Sequence, residues 1–241
     1  MEGRIGQFCT GTTSEELMDE LRRRSNSVTA DLAKTSSYVK IHSLLAHSEA
    51  ILFSAGEDLH NFVGTMRGEV ICGTFAYADQ IDSDNQIQAV VSRRSGVLFA
   101  HSVRRTPDNL LLLPQHVFAG RAGLLRRCMR SAWRMSIFLW IIFGIGQIVY
   151  NVQYPKTGQS YLFDFIVTLC APPLLTFSSE ALTYRKMREA GDYARTIFEV
   201  YRVPNADSFD ALKGMDFFKN ASRSFFAINF AKALAKHLAK L

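Results

Sequence analysis

The sequence predicts an α+β membrane protein: a small N-terminal antiparallel sheet with helices, a two-helix transmembrane hairpin, and a C-terminal helical tail. Three observations predict it. Residues 135–155 carry no charged side chain over 21 positions. A second apolar stretch, 161–182, follows after a short connection. Ahead of both, short β-branched and aromatic runs alternate with turn clusters between about 62 and 113. The expected division is 1–120 for a soluble α+β domain, 121–184 for a basic lead-in and the hairpin, and 185–241 for a helical region ending in a basic amphipathic tail.

Composition sets the frame. Of 241 residues 48% are apolar and 21% charged, which excludes a disordered chain. Lys and Arg total 28 against 22 Asp and Glu, a net charge of +6. The four cysteines (Cys9, Cys72, Cys128, Cys170) are widely spaced and form no CxxC pair, which excludes a disulfide scaffold and a zinc ribbon.

In the N-terminal part, Thr13 and Glu16 have capping-box spacing, with Leu17, Met18 and Leu21 as a short apolar stripe behind them. A second helical pattern runs over 27–50. The period then changes, and strands are expected over 69–77, 86–92, 96–103 and 109–113. Turn clusters at 82–85, 93–96 and 104–109 separate them.

The spans are expected at about 135–152 and 161–182, each near the roughly 20 residues that cross a hydrocarbon core. The second contains Asp164, the pair Pro172 and Pro173, and Glu180. The prolines remove two backbone donors, so a kink near Cys170 and Ala171 is expected. Thr168, Thr176, Ser178 and Ser179 are candidates to satisfy the freed carbonyls. Pro155 and Gly158 make the connection a tight turn. Gly144 and Gly146 permit close packing within the hairpin.

Charge orients it. Arg121, Arg126, Arg127, Arg130 and Arg134 precede the first span, and Arg185, Lys186 and Arg188 follow the second, while the connection holds only Lys156. The positive-inside rule then puts both termini on the cytoplasmic or matrix side. Trp133 at one end and Tyr150, Tyr154 and Tyr161 at the other fit interfacial belts. No apolar signal core opens the chain, and Glu2, Glu15 and Glu16 argue against a transit peptide. The mitochondrial inner membrane and the endoplasmic reticulum both fit.

The tail reads as a basic amphipathic helix over 222–241. Lys232, Lys236 and Lys240 repeat at helical spacing on one face, and Phe226, Phe230, Leu234, Leu238 and Leu241 follow another. Such a helix lies on an anionic membrane surface, docks into a partner, or covers its own sheet.

Candidate chemistry is sparse. Asp164 is the notable residue, because an ionisable group inside a span marks an ion path, a proton relay or a buried partner, and near the loop it also reaches interfacial water. The histidines His42, His47, His60, His101, His116 and His237 show no metal-binding spacing. No GxSxG, SxxK or Walker A motif occurs. No cofactor or metal is therefore expected. The arginines beside a span are explained by lipid headgroups, so no nucleic-acid partner is expected. The sequon at 220–222 would face the unglycosylated side. In layout the hairpin resembles that of mitochondrial calcium uniporter pore subunits, whose helix entrance carries Trp-Asp…Glu-Pro. Here the stretch is Phe163, Asp164, Phe165, Ile166, Val167, without the glutamate and with proline only at 172, so the chain is not assigned to that family.

The function expected from these features is a non-enzymatic anchor, accessory subunit or assembly factor of a larger membrane complex, with anionic lipid and protein subunits, or further copies of itself, as partners. The alternatives are an oligomeric channel subunit using Asp164, and a membrane-tethered enzyme whose site converges from residues such as His60, His101 and Asp108.

Overall fold

The β-rich runs form strands close to where they are expected. The computed structural model describes residues 1–11, 16, 17, 19, 59–81, 85–94, 97–114, 116–153, 158–219 and 224–241. The elements are β1 (Glu2–Gly11), β2 (Leu59–Met66), β3 (Glu69–Ala76), β4 (Gln86–Arg94), β5 (Val97–Arg105), β6 (Leu110–Leu112), α1 (Arg121–Gln153), α2 (Gly158–Val200), β7 (Met215–Lys219), β8 (Ser224–Asn229) and α3 (Phe230–Leu238). Single 3-10 turns stand at Ala78–Gln80, Ala206–Ser208 and Ala211–Gly214. The helical pattern at 27–50, most of that at 13–24, the turns at 82–84 and 95–96, the connection at 154–157 and the sequon lie outside the described residues.

The sheet differs from the expected small antiparallel one. Its order is β3-β2-β1-β4-β5-β6-β8-β7, and β3 also pairs with β5 in parallel through Ile71↔Leu98 and Cys72↔Phe99. That contact closes β1 to β5 into a five-stranded barrel. β4 returns beside β1 after the β1-β2-β3 meander, which is Greek-key order. Architecture alone assigns no function. The β2–β3 turn puts Arg67 and Gly68 at φ 55° and 78°, the left-handed pair of a type I′ hairpin. Ile5, Phe62, Ile71, Phe75, Ile87 and Val103 fill the barrel core with essentially no exposure. Leu17, which is helical as the sequence predicts, packs outside it on Val63, Cys72 and Val97.

β5 divides its second edge. Its first half closes the barrel on β3, and Val103, Arg104 and Arg105 pair with β6. The sheet continues from β6 through β8 to β7, so the chain after the hairpin joins the chain before it. Both flanks of the hairpin therefore lie at the same end of it. The 185–241 region is not purely helical, which corrects the sequence reading. Residues 224–229 are strand, and Phe226 pairs with Phe217 across β7–β8 instead of continuing a helix. Asn229 ends the strand and caps α3, its side chain accepting from the Lys232 amide at 2.9 Å.

A second core lies outside the barrel. Ala194, Ile197 and Phe198 at the end of α2 pack with Leu111, Phe209, Phe230 and Ala233. Phe209 is central, with Phe198 at 4.7 Å and His237 at 5.3 Å between ring centres.

At 33 and 43 residues, α1 and α2 are about 50 Å and about 65 Å long. Both are long and apolar enough to cross a membrane. A core helix of a soluble protein passes the same length test but buries its apolar face. Here only 6% and 11% of the most apolar windows are buried, and Phe138, Ile141, Ile148, Phe163 and Leu174 expose more than half their surface. α2 runs on through Pro172 and Pro173 as one helix. Gly144 and Gly146 do not pack within the hairpin as expected, for a Cβ at either would meet nothing within 4 Å. The close approaches are at its base instead: a Cβ on Gly123 would lie 2.6 Å from the Phe209 carbonyl oxygen, and one on Gly191 3.2 Å from Arg121 Cα.

Candidate membrane-facing site

Polar side chains in an apolar helix pair must find each other, and α1 and α2 show where they do. Ser136 and Thr176 are both buried and share a hydrogen bond of 2.5 Å between hydroxyls. Thr176 also donates to the Pro172 carbonyl at 3.0 Å. Thr168 donates to Gln147 Oε1 at 2.8 Å. Pro173 cannot donate to the carbonyl of Leu169 four residues back, and the Trp140 indole N–H does so across the hairpin at 2.9 Å. Of the expected hydroxyls, Thr176 and Ser179 bond to carbonyls within α2, but Leu169 is served by the tryptophan. One turn nearer the connection stand Asn151, four residues past Gln147, and Asp164, four before Thr168. Asp164 is half-buried, and Asn151 Oδ1 is buried without a hydrogen-bond partner among the described residues.

The basic residues form a collar at the base of this seam. Arg126, Arg127, Arg130 and Arg134 are exposed on α1, and Arg185, Lys186 and Arg188 on α2. They flank the packed residues Cys128, Tyr184 and Met187, so the two basic runs stand side by side where α1 meets α2. Arg121 lies just below, its Nε donating to the Tyr184 hydroxyl at 3.2 Å. Arg127 stands 4.9 Å above the Phe118 ring. Glu180 faces the Cys128 thiol, whose pKa is raised by burial first and by that carboxylate second. Leu125, Met129 and Trp133 are exposed between the arginines, so apolar and cationic surface interleave where the hairpin leaves the folded unit.

The tail is partly spent inside the fold. Phe230, Ala233 and His237 of α3 are buried and Leu234 packs on the second core, while Leu238 and Leu241 remain exposed. Lys232 pairs with Asp216 at 2.9 Å, Lys236 donates to the Lys213 carbonyl at 2.8 Å, and Lys240 is exposed.

Residues of the enzyme alternative fall into separate contacts. His60 lies 3.8 Å from Asp79, and Asp108 takes both arms of Arg105. His101 is the extra residue of a β-bulge, skipped between Val90↔Ser102 and Val91↔Ala100. Its Nε2 meets Ser92 Oγ at 2.7 Å and its Nδ1 hydrogen-bonds the Tyr193 hydroxyl of α2. Beside it Ser102 donates to Tyr201 Oη at 2.9 Å. Burial pushes the Tyr201 phenol up to about 12, against the smaller pulls of Ser102 and Arg104. A serine and a histidine in contact are the start of a nucleophile–base pair, but a phenol stands where a carboxylate would orient the imidazole. No motif marks this cluster in the sequence, because the bulge and α2 assemble it. It clasps α2 to the barrel. No group of three or more His, Cys, Asp or Glu suited to a metal ion occurs among the described residues.

No family model matches this sequence, and no curated protein and no solved structure matches it either.

Proposed function

We propose that the chain is a membrane anchor acting as an accessory subunit or assembly factor of a larger membrane complex, with the hairpin spanning the bilayer. The observation that carries this reading is the continuity of α2. One 43-residue helix presents exposed apolar surface over its first half and buries Ala194, Ile197 and Phe198 in the folded unit at its end. Such a helix holds a soluble module at a fixed height and orientation above a membrane. Because β6 pairs with β8, a spanning hairpin keeps both flanks on one side, and the basic collar makes that side cytoplasmic or matrix.

The test is purification of the full chain from native membranes in mild detergent, with native-gel mass and identification of co-purifying chains. A stoichiometric hetero-complex supports the reading, and a lone monomer sinks it. Release of the chain by alkaline carbonate removes the anchor itself. The second reading, a channel subunit, is favoured by the polar seam that ends at Asp164. A self-assembled ring moves the assignment there, and loss of ion flux in Asp164→Asn with the ring intact would secure it. Deleting 222–241 is no clean test of the tail, since it removes β8 and the core residues Phe230 and Ala233.

A further inference from the structure

We propose that Arg126 and Arg130 of α1, Lys213 of the 3-10 turn and Lys236 and Lys240 around α3 form one binding site for the phosphate headgroup of an anionic phospholipid. This rests on the reading that the hairpin spans a bilayer. It goes beyond a diffuse basic collar by assigning a defined site, in which three segments remote in sequence meet.

Packing brings them together. The Ala211 amide donates to the Phe118 carbonyl at 2.8 Å, and Ala119 bridges Asp210, so the turn carrying Lys213 is fastened beside the start of α1. Gly123 sits under Phe209, and Arg126 and Arg130 follow it at i+3 and i+7, one and two turns nearer the apolar hairpin on the same face. On the other side, a Cβ at Gly214 would lie 2.6 Å from Ala233 Cβ, which seats the turn on α3. The Lys236 ammonium reaches the Lys213 carbonyl at 2.8 Å.

The cluster is short of acids. Asp210 is the carboxylate beside Lys213, and one of its oxygens accepts from the Leu212 amide. Asp216 is engaged by Lys232. Among the described residues Arg126, Arg130 and Lys240 enter no ion pair. The Lys213 ammonium is held below its ordinary pKa by burial first; Asp210 opposes that more than any single cation adds to it, and Lys240, Arg130 and Arg126 each add to it. Lys213 thus senses the charges of three cations from two other segments, and five cations around one carboxylate leave a positive potential that a phosphate relieves.

Neighbouring apolar side chains select a lipid over a free anion. Leu125, Met129 and Trp133 are exposed between the arginines, and Leu238 and Leu241 beside Lys240. Cations with exposed apolar residues directly below a spanning segment match a headgroup with its acyl chains.

The experiment titrates the full chain in neutral micelles with dioctanoyl phosphatidylglycerol, dioctanoyl phosphatidylcholine and inorganic phosphate, and reads retained lipid by native mass. Two double variants remove equal charge: Arg130→Gln with Lys240→Gln in the cluster, and Arg185→Gln with Arg188→Gln on the α2 side of the collar. Circular dichroism checks that each is folded. Wild type should retain phosphatidylglycerol over phosphatidylcholine. The cluster variant should weaken that retention roughly tenfold to thirtyfold, and the α2 variant less than about threefold. Equal losses in the two variants overturn the defined site, equal retention of both lipids overturns the charge argument, and inorganic phosphate competing as well as the lipid overturns the lipid assignment. Failure of the spanning reading shows separately, as release of the wild-type chain by alkaline carbonate.

Discussion

Trp140 shows how one side chain can make a proline pair tolerable inside a helix. Its indole N–H replaces the donor that Pro173 lacks, and if the hairpin spans a bilayer, as proposed, the Leu169 carbonyl has no water to turn to. Trp140→Phe should destabilise the hairpin by about 0.6–1.7 kcal/mol, read by unfolding in micelles. Adding Pro173→Ala, which restores the backbone donor, should recover most of the loss; no recovery would mean that the indole acts through packing alone. Tyr201 gives a second test, through pH. Its phenol is neutral in the fold up to about 12 but ionises near 10 when unfolded. The unfolded state therefore binds fewer protons between these values, and stability falls as pH rises through them, by on the order of 2–3 kcal/mol. Tyr201→Phe should lose that component and keep the rest of the pH profile. Neither role was legible in the sequence, because each depends on a register between segments: α1 against α2 for Trp140, and α2 against β4 and β5 for Tyr201.

At the scale of elements, the two apolar helices were readable because a span is a local property of some 20 residues, and the strands from Glu69 to Leu112 because turn residues bracket them. The tail misled because Phe226, Phe230 and Leu234 repeat at helical steps, while Ser224–Asn229 pairs with β7 in two-residue alternation. Asn229 was the available signal, a capping residue three positions before Lys232. β1 was hidden by its own irregularity, since its register shifts between Gly6 and Cys9 and breaks the alternation. Glycines in α1 show the same limit. Gly123 and Gly144 look alike in sequence, yet the first lies against the Phe209 carbonyl and the second against open space. Gly123→Ala should cost roughly 1–3 kcal/mol by forcing α1 off the folded unit. Gly144→Ala should be neutral or stabilising by up to about 1 kcal/mol, since it adds helix propensity without a clash. A large loss at Gly144 instead would show that another chain packs there. Thermal unfolding in micelles separates the pair.

For the whole molecule the decisive question is whether the exposed surface of α1 and α2 meets lipid or water, and one thiol reports it. Cys9, Cys72 and Cys128 are buried, and Cys72 is further protected because burial pushes its thiol up to about 12. Cys170 alone is exposed, and it stands midway along the second apolar stretch. Thiols react with maleimides as thiolates, which need water to form. If the hairpin crosses a bilayer, Cys170 lies near the hydrocarbon midplane, about 15 Å from either surface. A membrane-impermeant maleimide applied to opened native membranes should then label no cysteine, and denaturation in detergent should label all four. If the same surface faces water, Cys170 should react fully in the folded protein while the other three stay silent. Arg134→Cys supplies the internal control, since it stands exposed in the collar, at the water boundary, and should react in the same opened membranes under either arrangement. The pattern of two thiols in one chain thus separates a spanning hairpin from an exposed one without knowledge of any partner.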